Sequence, residues 1–171
     1  KTAGYVLPIL MSLHENVISK NRHVKVLVIV PTRELAIQVK EVFETFGSAM
    51  MNPVKSLAVY GGVSINPQMM AMNNVDVLVA TPGRLLELVD SNAVHLSEVN
   101  TLVLDEADKM HEMGFINDIT DIFTNISRNR QSLFFSATME PKIASLIEKF
   151  SRDPVTVSVK EGATADSVSQ D

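Results

Sequence analysis

Three carboxylates stand together in Asp105-Glu106-Ala107-Asp108, directly behind the apolar run Leu102-Val103-Leu104. That run has the length and composition of a short buried strand. Its acids therefore collect at a strand's carboxyl end, the edge of an open α/β sheet where ligands bind. Carboxylates in such a place can hold a hydrated Mg²⁺ and activate a water against a phosphate. Acids are equally at home at a helix N-terminus, where they favour the helix dipole. Position alone leaves both readings open.

Other apolar runs end in polar clusters as well. Pro31-Thr32-Arg33-Glu34-Leu35-Ala36 follows Val30, and Gly61-Gly62 follows Tyr60. Thr81-Pro82-Gly83-Arg84 follows Ala80, and Ser136-Ala137-Thr138 follows Phe135. Singly, each has an ordinary structural use: Thr32, Thr81 and Ser136 as helix caps, Gly61-Gly62 as a turn. Glu87 offers Arg84 a partner on its own helix. Their joint occurrence around Asp105–Asp108 is far less expected by chance.

The elements that must position these clusters alternate along the chain. Val26 to Val30 is a continuous apolar run, as in a strand buried on both faces. Leu35, Val39, Val42 and Phe46 then keep helical spacing. Strands are expected over Val54 to Tyr60, Val75 to Ala80, Thr101 to Leu104, Gln131 to Phe135 and Val155 to Val159. Helices are expected around Gln68 to Met72, over Arg84 to Asp90, and through Phe115, Ile119, Ile122 and Ile126. Ile143, Leu146, Ile147 and Phe150 mark the last helix. This alternation predicts an α/β fold, a mostly parallel sheet with helices on both faces. All the polar clusters then line one sheet edge. From Glu161 onward the residues are small and polar, as in a linker or tail.

Composition narrows the function classes. The 171 residues are 46% hydrophobic and 20% charged, which suits one globular domain. No cysteine is present, which excludes disulfides, thiol nucleophiles and Cys-based zinc sites. His14, His23, His95 and His111 lack metal-ligand spacing. The net charge of −5 argues against a tight nonspecific polyanion binder, yet leaves room for a local phosphate-binding groove. No apolar run approaches the ~18 residues of a membrane span and no signal peptide is visible, so the cytoplasm is the expected compartment. Most of the nine methionines are expected to fill core gaps.

Taken together, the clusters resemble the first RecA-like domain of DEAD-box RNA helicases. Asp105-Glu106-Ala107-Asp108 matches the motif that names the family. Pro31 to Ala36, Gly61-Gly62, Thr81 to Leu85 and Ser136 to Thr138 match its other first-domain motifs in order. The resemblance covers residues 1–160, with 161–171 left as the linker or tail. Tyr60 to Val63, Leu104 to Met110 and Met113-Gly114-Phe115 look most like the bacterial RhlE-type branch. Lys1-Thr2 is similar to the end of a phosphate-binding loop, whose preceding glycines let backbone amides wrap phosphates.

The resemblance implies a RecA-like P-loop NTPase fold and an ATP-dependent RNA helicase that uses ATP and Mg²⁺. Lys1 would neutralise phosphate charge, and Thr2 and Asp105 would hold Mg²⁺, partly through water. Glu106 would polarise the attacking water. Asp108, bonded toward Ser136 or Thr138, would couple nucleotide state to domain closure. Pro31, Thr32, Arg33, Gly61, Gly62, Thr81, Pro82, Gly83 and Arg84 would bind the RNA backbone without reading sequence. The partner implied is a second RecA-like domain of the same polypeptide. The family's phosphate-loop strand lies inside the sheet, so the sequence is expected to be part of a longer chain. A non-catalytic RNA- or protein-binding module with this fold, a flavodoxin-like phosphate-accepting domain and a DNA-directed helicase are the competing readings. The intact Glu106 opposes the first. The second has no role for Ser136-Ala137-Thr138 or Thr81 to Arg84. The Ala107-Asp108 ending disfavours the third.

Overall fold

The computed structural model describes residues 1–15 and 23–158. Five strands form the sheet: β1 (Val26–Ile29), β2 (Ser56–Val59), β3 (Val77–Ala80), β4 (Thr101–Leu104) and β5 (Gln131–Phe134). The helices are α1 (Thr2–Glu15), α2 (Arg33–Gly47), α3 (Asn66–Ala71), α4 (Pro82–Asp90), α5 (Ala107–Glu112), α6 (Ile116–Thr124) and α7 (Pro141–Phe150). Every strand pairing is parallel, and the lateral order is β2-β3-β1-β4-β5.

The register aligns the strand ends. Val59, Ala80, Ile29, Leu104 and Phe134 sit side by side across the sheet. Each predicted polar cluster begins one or two residues beyond this row. Sequence spacing thus becomes a continuous polar edge, as Asp105 N–H donates to Ile29 O and Phe135 N–H donates to Leu104 O.

Two cores hold the sheet, one on each face. Strand residues alternate between them because the side-chain period is two. Val26, Val28, Val30, Val77, Val79 and Val103 pack against α1 and α2, with Tyr5, Val6, Val39 and Phe43. Leu27, Ile29, Leu78, Leu102 and Leu104 face the other way, with Leu85, Leu88, Met110, Ile119, Ile122 and Ile143. Truncating one such fully buried leucine to alanine typically costs about 2–5 kcal/mol, so the edge is anchored from below. Among the described residues, no helix is long and apolar enough to cross a membrane.

Two expectations are corrected. Residues 155–158 belong to none of the strands: Val155 and Val157 are 88% and 82% exposed, and a strand needs a partnered ladder. Val159 and the expected tail at 161–171 lie outside the described residues. An open cleft separates this segment from β5, lined by Phe134, Ile147 and Phe150 among others. The methionines are also mostly not core. Met72 and Met110 are buried, but Met11, Met51, Met70, Met113 and Met139 are exposed on outer helix faces and turns.

Candidate nucleotide and nucleic-acid site

The lateral order sorts the clusters into two groups. The ends of β2, β3 and β1 carry Gly61-Gly62, Thr81 to Arg84 and Pro31 to Arg33. The ends of β4 and β5 carry Asp105 to Asp108 and Ser136 to Thr138. Adjacent strands lie about 4.8 Å apart, so β2 and β4 are separated by roughly 14 Å. One edge therefore presents two neighbouring polar groups.

At the β4 end, Asp105 is 2% exposed. Burying a carboxylate is costly unless donors surround it. Oδ1 meets Lys1 Nζ at 2.7 Å and accepts the Glu106 amide at 3.0 Å. Oδ2 accepts the Tyr5 hydroxyl at 3.1 Å. Lys1, just ahead of α1, is half-exposed and also lies over the Phe135 ring. Burial raises the Tyr5 phenol above its ordinary value, and the Asp105 charge and hydrogen bond push it the same way. Tyr5 is therefore a neutral donor at every physiological pH. Thr2 begins α1 one turn before Tyr5 and is partly buried.

Glu106 has a left-handed backbone, φ 56° and ψ 52°. Such a conformation in a non-glycine residue costs on the order of 1–3 kcal/mol and clusters at functional positions. It turns the chain from β4 into α5 and holds the Glu106 carboxylate outside the core. There, partly exposed, it receives Lys109 Nζ at 3.3 Å.

Asp108 ties β4 to β5. Its amide donates to Ser136 Oγ at 3.2 Å, and its Oδ2 accepts the amides of Ala137 and Thr138 at 3.0 and 3.2 Å. Ser136 Oγ in turn donates to Thr138 O. Desolvation opposes ionisation of Asp108, but amides of Lys109, Ala137, Thr138 and Asp108 itself outweigh it. The carboxyl is held below its ordinary range. Ser136 thus bonds the acidic cluster rather than capping α7, whose N-cap is Glu140.

On the other half, Thr32 caps α2, its Oγ1 accepting the Leu35 amide at 3.3 Å. Thr81 stands at the N-cap of α4 with no side-chain cap bond, so its hydroxyl is not consumed by the helix. Arg33 is exposed and lies 4.9 Å from the Tyr60 ring centroid. Gly61 and Gly62 are exposed, and Gly62 has φ +80°. Pro31 and Pro82 are buried supports. Arg84 is buried, and its Nη1 has no hydrogen-bond partner among the described residues. Its side chain is 5% exposed, Nε donating to Glu87 at 2.8 Å and Nη2 to Val63 O at 2.7 Å. Its length is used inward, as a brace from α4 to the Gly61-Gly62 turn.

The donor set at Asp105 fits Mg²⁺, which takes oxygen ligands and is commonly bound through one or two carboxylates with several retained waters. Among the described residues, no group of three or more His, Cys, Asp or Glu forms a closed metal cage.

Comparison with known proteins decides the family. The profile described as DEAD/DEAH box helicase matches residues 1–146. The chain belongs to the DEAD/DEAH box helicase family. This helicase domain is 41% identical to the DEAD-box ATP-dependent RNA helicase CshA of Bacillus subtilis, over 94% of this chain and 31% of the relative. It is 41% identical to DEAD-box ATP-dependent RNA helicase 53 of Oryza sativa, over 92% of this chain and 26% of that one. Among solved structures, the yeast DEAD-box splicing factor Prp28 superposes with a TM-score of 0.83 at 32% identity. That match covers 95% of this chain and 40% of Prp28. A DEAD box protein from Methanococcus jannaschii matches at TM-score 0.78 and 36% identity, over 88% and 40%. The helicase domain therefore has the RecA-like fold, and it spans about a third of the length of the curated relatives. None of the relatives named here carries the RhlE name.

Two residues of the helicase domain's edge escaped sequence reasoning. Tyr5 sits in an apolar helical stretch and looks like core, and only the fold brings its hydroxyl to Asp105. Gln68, on α3, is buried and brackets the end of β2: its Oε1 accepts the Tyr60 amide and its Nε2 donates to Tyr60 O, both at 3.1 Å. One side-chain amide thus imitates a neighbouring strand just before Gly61.

Proposed function

We propose that this chain is the first core domain of an ATP-dependent RNA helicase, binding ATP-Mg²⁺ and the RNA backbone. It works with a second RecA-like domain of the same polypeptide to couple hydrolysis to local duplex separation. The observation that carries this reading is the Asp108 bridge to Ser136-Ala137-Thr138, because it joins the two clusters on which nucleotide state and domain closure depend. Lys1, Thr2 and Asp105 hold the nucleotide and metal, with Thr2 and Asp105 as the metal's protein partners. Bound Mg²⁺ supplies charge neutralisation at the phosphate oxygens. Glu106 orients and polarises the attacking water. Phosphoryl transfer depends mainly on positioning and charge stabilisation, so a second domain that adds cationic groups completes the site.

RNA lies along the β2, β3 and β1 ends. Thr32, Arg33, Gly61, Gly62, Thr81 and Gly83 present amides, hydroxyls and one guanidinium to phosphates and sugars, with Pro31, Pro82 and Arg84 supporting the surface from behind. Such contacts hold a strand without reading its bases. The deciding experiment is Glu106→Gln in the complete protein. Hydrolysis falls by about 10²–10⁴-fold, as for loss of a general base, while ATP and RNA affinities stay near wild type. Near-normal turnover of the Gln variant sinks the assignment.

A further inference from the structure

We propose that Tyr5 is a positioning residue for Asp105: its hydroxyl fixes the carboxylate so that Oδ1 is the oxygen offered to the divalent cation. This rests on the nucleotide-site reading above and adds to it a residue that no motif contains.

The geometry makes the argument. Oδ2 is taken by the Tyr5 hydroxyl at 3.1 Å, and Tyr5 is 2% exposed. Oδ1 meets the half-exposed Lys1, which the reading above assigns to the nucleotide phosphates, and accepts the Glu106 amide. A carboxylate free to rotate would present either oxygen. The Glu106 amide on Oδ1 and the buried phenol on Oδ2 together remove that freedom. Tyr5 is itself fixed, because its ring packs on Phe135 with centroids 5.2 Å apart. Phe135 is the residue before Ser136. One side chain thus joins the start of α1, the β4 acids and the end of β5. Ring packing alone needs only phenylalanine, so the hydroxyl is the part with a role to explain.

The test uses the complete protein and its variants Tyr5→Phe and Asp105→Asn. Mn²⁺ serves as probe, with free Mn²⁺ measured by electron paramagnetic resonance in the presence of ADP. Tyr5→Phe retains the ring and its packing but leaves the buried Oδ2 without its donor, so the thermal midpoint without nucleotide falls by a few degrees while the fold is kept. Mn²⁺ affinity is expected to fall about 10-fold, the usual scale for losing a bond that orients a metal ligand. The Mg²⁺ concentration for half-maximal ATP hydrolysis rises by the same factor, and saturating Mg²⁺ restores the rate. Wild-type Mn²⁺ affinity in Tyr5→Phe overturns the proposal, as does a lowered thermal midpoint with metal affinity unchanged. Asp105→Asn separates the two levels. If it abolishes Mn²⁺ retention while Tyr5→Phe does nothing, only the Tyr5 role falls. If Asp105→Asn leaves Mn²⁺ binding intact, the site assignment falls with it.

Discussion

Asp108 and Thr138 lie 30 residues apart in the chain, yet Asp108 Oδ2 accepts the Thr138 amide at 3.2 Å. The neighbouring Ala137 amide donates to the same oxygen at 3.0 Å. Hydrogen bonds to an ionised acceptor are about twice as strong as neutral ones. This carboxylate therefore fastens the β5 loop to α5.

The bridge has a pH signature. The folded carboxyl is held below the ordinary value of 3.8. Its stabilisation is therefore present above that value and is lost as pH falls through the lowered folded value. Urea denaturation of wild type and Asp108→Asn should show wild type more stable at neutral pH and the gap closing below about pH 4. A gap unchanged between pH 7 and pH 3 excludes a role for the charge.

Ser136→Ala removes the hydroxyl that accepts from Asp108 N and donates to Thr138 O. In the complete protein, ATP hydrolysis is expected to survive in part and duplex release to suffer more. Adding Thr138→Ala should change little beyond this, since the contacts Thr138 makes here are through its backbone. Parallel assays of both activities check the point, and equal losses reject a coupling role.

Arg84→Ala removes a brace and leaves Val63 O and Glu87 without their partner. RNA binding should weaken equally on unrelated sequences, and the thermal midpoint should fall by several degrees, the scale of about 1 kcal/mol or more in a domain of this size. The dependence of affinity on salt should keep its slope if the guanidinium serves only as a brace. A slope flatter by roughly 0.7 would put the guanidinium on a phosphate.

Gly62 and Gly61 differ by one backbone angle. Only Gly62 has a positive φ, and neither has an atom within 4 Å of an added Cβ. Gly62→Ala should cost about 1–2 kcal/mol of strain and weaken RNA binding by reshaping the turn. Gly61→Ala should be close to neutral in stability. Urea denaturation and RNA titration of both variants check this, and equal effects would reject the positive φ as the reason for glycine at position 62.

Local composition and order settle what stands at each strand end. Val28, Leu78, Leu102 and Leu133 lie in short runs that read as strands, and local order places Pro31, Thr81, Asp105 and Ser136 just beyond them. Helical spacing likewise gave α2, α6 and α7, because burial of one helix face is written in the neighbouring residues. The lateral order was not legible from these runs. It decides that Gly61 stands beside Thr81 and away from Asp105, and so divides one edge into two sites. Tyr5 and Asp105, 100 residues apart, meet only because α1 packs over β4 and β5. Val155 and the exposed methionines depart from the local pattern for the same reason: whether an apolar residue is covered depends on elements distant in the chain. Hydrogen-bond ladders and packing between distant segments carry that information, and no local pattern of residue types contains it.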